Sequence, residues 1–448
     1  MSPVLPLLFA LSVSATPAAE RAALIDIRAA SAAEVEALRH GTGVRWWLEL
    51  GNRLLVAGDL PATTPSSRSA PVLEELTDLR LDELALRAVG CNEHADPPGE
   101  LLARGGRWQL RRLAAGAPLP QTADAHERWR AVRPNEVIAR QYRLDAPVGA
   151  PPDPDVQAVV SRIDTQRWFA DLSQLASWDR SSYGTTELFA ARDWIGQQFA
   201  GLGLDVETPD FTMPDAGGGS ITRQNVIGRW TGTTFPDEWI VVGGHYDSRN
   251  ESWSSTSNTP GAEDNASGCT GVIELARALL PSQPQRTIVF MCYAGEEQGL
   301  YGSQAHVDAL QASGDLDKVK GVVVMDMIAY SADARLNADY ESYSQAYLDR
   351  FGAAAATYAP ELAVTTSLHP FGSDHMPYLD ANVEQAALGI ESDYDAYPYY
   401  HASGDTPDHI GPHAQAMGGA ILKTNVAVLA DLAGVSTDTD RIFSDGFD

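Results

Sequence analysis

Four short apolar runs do most to limit what this chain can become: EWIVVGG (238–244), RTIVFMCY (286–293), GVVVMD (321–326) and QAALGI (385–390). They are continuous rather than alternating and rich in branched residues, as strands covered on both faces must be. Helical stripes lie among them. Leu188, Ala191, Ile195, Phe199 and Leu202 share one face of TTELFAARDWIGQQFAGLGLDVE. Val272, Leu275, Ala276 and Leu279 share one face of SGCTGVIELARALL, and PHAQAMGGAILKTNVAVLADLA closes the region as a long helix. Strands alternating with helices predict an α/β fold, a mostly parallel mixed sheet flanked by helices.

In such sheets ligands bind outside the carboxyl ends of the strands, and the chemistry-bearing residues gather there. His245 and Asp247 (GGHYDS) follow the first run. Glu296 and Glu297 (CYAGEEQGL) follow the second, and Asp326 ends the third. His401 (YYHASGDTPDH) follows the fourth, and Asp264 (GAEDNASG) precedes the Val272 helix. Two histidines and several carboxylates without cysteine suit zinc. The carboxylates outnumber the needs of one tetrahedral ion, so a pair of Zn2+ with a bridging Asp, ~3.5–4 Å apart, fits better. Asp247, two residues beyond His245, is placed to take the imidazole's other N–H.

The formal net charge of -28, from 60 acids against 32 bases, argues against nucleic acid or an anionic membrane as partner. No later stretch reaches ~18 uninterrupted apolar residues, so no membrane span is expected. The start, MSPVLPLLFALSVSATPAAE, resembles a signal peptide over 1–19: Val4–Val13 is apolar but too short for a bilayer, and small residues follow. It lacks the usual Lys or Arg. The expected location is secreted, periplasmic or extracellular. Cys91, Cys269 and Cys292 make no disulfide framework; Cys269 and Cys292 read as buried thiols, a bridge between them being open but not indicated.

Residues 146–155, APVGAPPDPD, read as a linker. It divides an N-terminal domain (20–145) from a catalytic domain (156–433), with a tail over 434–448. The N-terminal part reads as strand ALIDI, helix AAEVEALRH, a hairpin across Gly51-Asn52, helix APVLEELTDL and strand ELALRAVG. That order suggests a small ferredoxin-like α+β domain.

EWIVVGGHYDS, PGAEDNASGCTGVIELAR, AGEEQGLYGSQ, VVVMDMIAY, GSDHMPY and YYHASGDTPD, in that order, resemble the secreted bacterial leucyl aminopeptidases of metallopeptidase family 28. The resemblance covers about 156–433. It implies a zinc-peptidase fold with two co-catalytic zincs. His245 and Asp326 would bind one, Glu297 and His401 the other, and Asp264 would bridge. Glu296 would be the general base and Asp247 the support of His245. The bond after Asp264 would be a cis peptide. The substrate would be peptide or protein N-termini with apolar first residues, and the chain a monomer.

The resemblance also implies that the N-terminal domain inhibits or chaperones the catalytic one. The Tyr between paired cysteines found in relatives has no counterpart in TSLHPFGSDH. That leaves His369, His375 or a Tyr of DYDAYPYY to stabilise the oxyanion, with Asp374 and His375 as support. The tail DRIFSDGFD resembles short C-terminal tags of secreted proteins. The competing enzyme reading is a glutaminyl cyclase with one zinc; a receptor-type domain with a dead site is disfavoured because ligands and base are all present.

Overall fold

The computed structural model describes residues 19–61, 67–89, 97–121, 128–142 and 151–435. The signal-like segment up to residue 18, Cys91, residues 146–150 of the linker and the tail from 436 lie outside the described residues.

The N-terminal part forms β1 (Glu20–Asp26), α1 (Ala32–Arg39), β2 (Val44–Gly51), β3 (Arg53–Gly58), β4 (Val72–Leu79) and β5 (Leu84–Ala88). It continues with β6 (Glu100–Gly105), β7 (Trp108–Arg112), β8 (Arg128–Ala131) and β9 (Glu136–Gln141). Then come α2 (Pro154–Val160), α3 (Thr165–Leu175), α4 (Thr186–Gly201), β10 (Asp205–Glu207), β11 (Asp210–Pro214), β12 (Ser220–Gln224) and β13 (Val226–Trp230). The central elements are β14 (Phe235–His245), α5 (Ser267–Leu279), β15 (Arg286–Tyr293), α6 (Tyr301–Ser313) and β16 (Val319–Met325). Last are β17 (Leu336–Glu341), α7 (Gln345–Tyr358), β18 (Leu362–Ser367), α8 (Met376–Asp380), β19 (Ala386–Glu391) and α9 (Ala414–Leu432).

The four apolar runs are β15, β14, β16 and β19, adjacent and parallel. Their carboxyl ends therefore share one edge. The runs are continuous because both faces are covered. Ile240, Val242, Ile288 and Phe290 face a core with α5 and α9, while Val241, Val289, Met291 and Val322 face the opposite one. All of α5 except Arg277 is buried.

Two expectations fail in the N-terminal part. APVLEELTDL is a strand, β4, paired antiparallel with β1. Its Leu-Glu repeat favours a helix only weakly, and the unpaired amides and carbonyls along buried β1 need partners; tertiary demand overrides propensity. Nor is the part a ferredoxin-like unit. Among the described residues β9, β2, β3, β1 and β4 extend the central sheet to thirteen strands, with β9 antiparallel to β18 through Thr365↔Gln141 and Thr366↔Arg140. A second sheet, β6-β7-β5-β8, packs against it.

Cys269 on α5 and Cys292 on β15 form a buried disulfide, not the free thiols expected. Their Cα atoms are 5.7 Å apart because α5 lies directly on β15.

The α3–α9 contact is tight enough to test. A Cβ on Gly418 of α9 would stand 2.0 Å from the ring of Trp168, a fully buried side chain of α3. Ala favours a helix over Gly by about 1 kcal/mol. Overpacking a core costs about 1–3 kcal/mol. Gly418→Ala is expected to lower the denaturant midpoint; an unchanged or raised midpoint would refute the packing.

Candidate metal centre

His245 closes β14, Asp326 directly follows β16, and Glu296 and Glu297 lie just past β15. His401 sits in the loop after β19 with a left-handed backbone, φ 49°, a conformation uncommon for a non-glycine residue and worth a functional explanation. Asp264 precedes α5, and the Asp264-Asn265 bond is cis, as the resemblance implies.

These side chains meet in a buried cluster. His245 Nε2 lies 3.2 Å from Asp264 Oδ1, 3.3 Å from Asp326 Oδ1 and 4.0 Å from Glu296 Oε2. His401 Nε2 lies 2.8 Å from Asp264 Oδ2 and 3.2 Å from Glu297 Oε2. The atoms fall into two ligating groups, His245-Glu296-Asp326 and Asp264-Glu297-His401, and the two oxygens of Asp264 face one histidine each.

The donor chemistry suits a cation. His245 Nδ1 lies 3.1 Å from the carbonyl oxygen of Asp247, which can only accept, so Nδ1 carries the proton. Nε2 faces carboxylate oxygens, so either a proton on Nε2 or a bound cation must stand between them. Burial alone would lower the pKa of His245 and His401, but the facing carboxylates outweigh it and push both well above the usual imidazole range. Burial would raise Asp264, yet both histidines pull it well below the carboxylate range. Glu297 is raised, first by burial and then by Asp264. Neither Glu297 oxygen receives a well-formed hydrogen bond although the residue is 1% exposed. A divalent ion resolves each of these conflicts.

Hydrogen bonds from further residues hold the ligands in place. The carbonyl of Asp247, not its carboxylate, takes the His245 proton; the carboxylate is 3.5 Å away. It instead accepts from Ser182 Oγ at 2.8 Å and from the Glu296 amide at 3.4 Å. Ser182 Oγ also accepts from the Gly295 amide at 2.9 Å, tying the GEE loop to Asp247. Asp405 accepts from the amides of Glu263 and Asp264 at 2.9 and 3.0 Å and from Tyr397 Oη at 2.7 Å. Burial pushes its carboxyl up to about 7. Glu263 accepts from the Ala329 and Tyr330 amides, and Ser373 Oγ donates to Asp326 Oδ2 at 2.7 Å. Asp405 stands four residues after His401 in a motif already singled out and was legible there; Ser182 carried no signal.

Free space at the ligands is about 10 Å3, bounded by Asp264, Glu296, Asp326 and His401 and by Arg107, Met327, Gly372, Ile390, Tyr394 and Tyr400. That holds at most one water. Of the oxyanion candidates, Tyr394 and Tyr400 reach this cavity. His369 lies against the Val137 carbonyl at 3.2 Å, and His375 is fully buried; neither borders it. A larger cleft of about 610 Å3 near α1 and α7, lined by Arg39, Glu49 and Arg140, does not include these ligands.

A mixed α/β sheet thus carries this ligand set at its carboxyl edge. Residues 225–424 match the model of Peptidase family M28. Over 199 residues the chain is 34% identical to a probable zinc metalloprotease of Pyricularia oryzae, covering 41% of this chain and 39% of that protein. Over 184 residues it is 32% identical to leucine aminopeptidase 1 of Trichophyton equinum, covering 39% of this chain and 48% of that one. The chain thus spans less than half the length of these curated relatives. The fold is that of the aminopeptidase from Aneurinibacillus sp. strain AM-1: TM-score 0.52, 16% identity, 62% of this chain and 95% of the other. Neither a bacterial origin nor a leucyl preference comes with these matches.

Proposed function

We propose that the chain is an exported aminopeptidase that hydrolyses the first peptide bond of peptides, using two zinc ions. The observation that carries this reading is Asp264 standing between His245 and His401, each with its own further carboxylates. His245 and Asp326 would hold one ion, Glu297 and His401 the other. Zinc, when bound, supplies Lewis acidity that polarises the scissile carbonyl and makes water a nucleophile near neutral pH.

The rest is the work of the chain's own groups. Glu296 takes the proton of the attacking water and returns it to the leaving amine. The Asp247 carbonyl fixes the His245 tautomer, and Ser182 and Asp405 hold the GEE and Asp264 segments in place. Met327 and Ile390 give the cavity an apolar wall, which supports the apolar side-chain preference implied by the resemblance. The N-terminal region inhibits: Arg107 closes the cavity, and Tyr394 Oη donates to the Val89 carbonyl at 2.9 Å. Export is supported by the disulfide, which persists in oxidising compartments.

The test is amino-acid 4-nitroanilide hydrolysis before and after cleavage in the 146–155 segment, with chelation and zinc add-back. Chelation should abolish turnover, and recovery should track two zincs per chain. Cyclisation of N-terminal Gln without anilide hydrolysis, or full activity without metal, would refute the reading.

A further inference from the structure

Arg107 stands at the tip of the two-residue turn joining β6 to β7, beside Gly106 with φ 57°. A charged side chain at a hairpin tip is ordinarily solvated. This one is 4% exposed. Its Nη1 donates to Glu341 Oε2 at 3.2 Å and to the Phe371 carbonyl at 2.7 Å, and Nη2 donates to the Gly372 carbonyl at 3.1 Å. The guanidinium lies 4.0 Å from the Phe371 ring centroid and 5.7 Å from that of Tyr394.

All of these partners belong to the catalytic segment. A carboxylate, two carbonyls and aromatic faces form a cradle for a guanidinium or ammonium group. A second acid, Asp339, lies two residues before Glu341 on the same strand; it is 2% exposed, and its Oδ2 receives no hydrogen bond. Burial pushes both carboxyls up to about 7. Two buried acids here are costly without a cation.

The cradle adjoins the metal centre. Arg107 and Gly372 border the same cavity as Asp264, Glu296, Asp326 and His401, and Ser373 next to Gly372 bonds Asp326. Met327, Ile390 and Tyr394 line the same cavity, and the Arg107 head that borders it is bonded to Glu341. An apolar lining with an acidic end suits an aliphatic stem carrying a cationic head.

We infer that Arg107 occupies the side-chain pocket of the substrate, and that with the β6–β7 hairpin withdrawn this pocket selects an N-terminal Arg or Lys through Glu341. The inference rests on the proposed aminopeptidase reading and replaces its apolar preference with a cationic one: the stem of the selected side chain is apolar and the terminus is not.

The test uses the full chain carrying Arg107→Ala, supplemented with zinc, and measures binding of L-argininamide against L-leucinamide by calorimetry. Argininamide is expected to bind about tenfold or more tightly, since a site built around a charge discriminates strongly against a ligand lacking it. Adding Glu341→Gln should remove the preference. Equal or tighter binding of leucinamide, or a preference that survives Glu341→Gln, would overturn the inference. If Arg107→Ala does not fold unaided, refolding yield in each amide gives the same comparison. Recovery in argininamide alone supports the pocket; equal recovery, or none, overturns it. Turnover is read separately. Selective binding without hydrolysis of either 4-nitroanilide would leave the pocket and remove the peptidase reading. Faster hydrolysis of the leucyl than the arginyl substrate would do the reverse.

Discussion

Glu296→Gln is expected to lower kcat on an amino-acid 4-nitroanilide by about 10²–10⁴-fold, the usual worth of a positioned general base, while bound zinc stays near the parent value. Glu297→Gln should do the opposite and release zinc before anything else fails. The two acids are neighbours in sequence yet face different histidines. Glu296 Oε2 is 4.0 Å from His245 Nε2, whereas Glu297 Oε2 is 3.2 Å from His401 Nε2. The amide of Glu296 is held by Asp247 Oδ1 at 3.4 Å, so its backbone stays placed when the carboxylate is neutralised. Kinetics and metal content must be measured together, under conditions where the parent chain turns over. Because Glu296 also lies within ligand range of His245 and Asp326, loss of zinc from Glu296→Gln would make it a ligand and end its assignment as base.

The central strands were legible because β14, β15, β16 and β19 are covered on both faces, and that leaves an unbroken apolar run in the sequence. The candidate ligands were legible for a related reason: parallel strands bring their carboxyl ends together, so position along the chain predicts position in space. The same logic fails where contacts are made by lone residues across long separations. Arg107 meets Glu341 across 234 positions, and no local pattern announces it. β4 was misread because its Leu-Glu spacing satisfies a helix as well as an edge strand, and only the exposed edge of β1 decides between them. The disulfide depended on how α5 settles onto β15, which spacing of 23 residues does not reveal. Asp247 meets His245 through its backbone carbonyl, an atom that leaves no trace in a sequence.

Arg180→Met is expected to destabilise the fold by about 3–5 kcal/mol, because it strips several buried acceptors of their donor at once. Arg180 is fully buried, and its acceptors are backbone carbonyls: Tyr246 and Gly261 at 2.7 Å, Leu175 at 2.8 Å, and Pro260. Those carbonyls belong to the end of α3, the residue after His245 and the approach to Asp264. One guanidinium thus joins the two segments that carry the ligands to the helix behind them. Burial lowers its pKa to about 10, opposed by the fields of Asp405, Asp247, Asp264 and Glu297. It therefore remains charged at neutral pH and offsets part of the repulsion among those acids. Met preserves the stem and much of the volume, so a loss cannot be charged to a cavity. Arg180→Lys keeps the charge but gives up the planar fork, and with it most of the simultaneous carbonyl contacts. A denaturation midpoint lowered strongly by Met and less by Lys would show both roles, charge and fork. If Met and Lys were equally damaging, the contacts alone would matter. A cost below about 1 kcal/mol, within reach of an ordinary surface change, would mean that the carbonyls find other donors and that Arg180 does not organise the site.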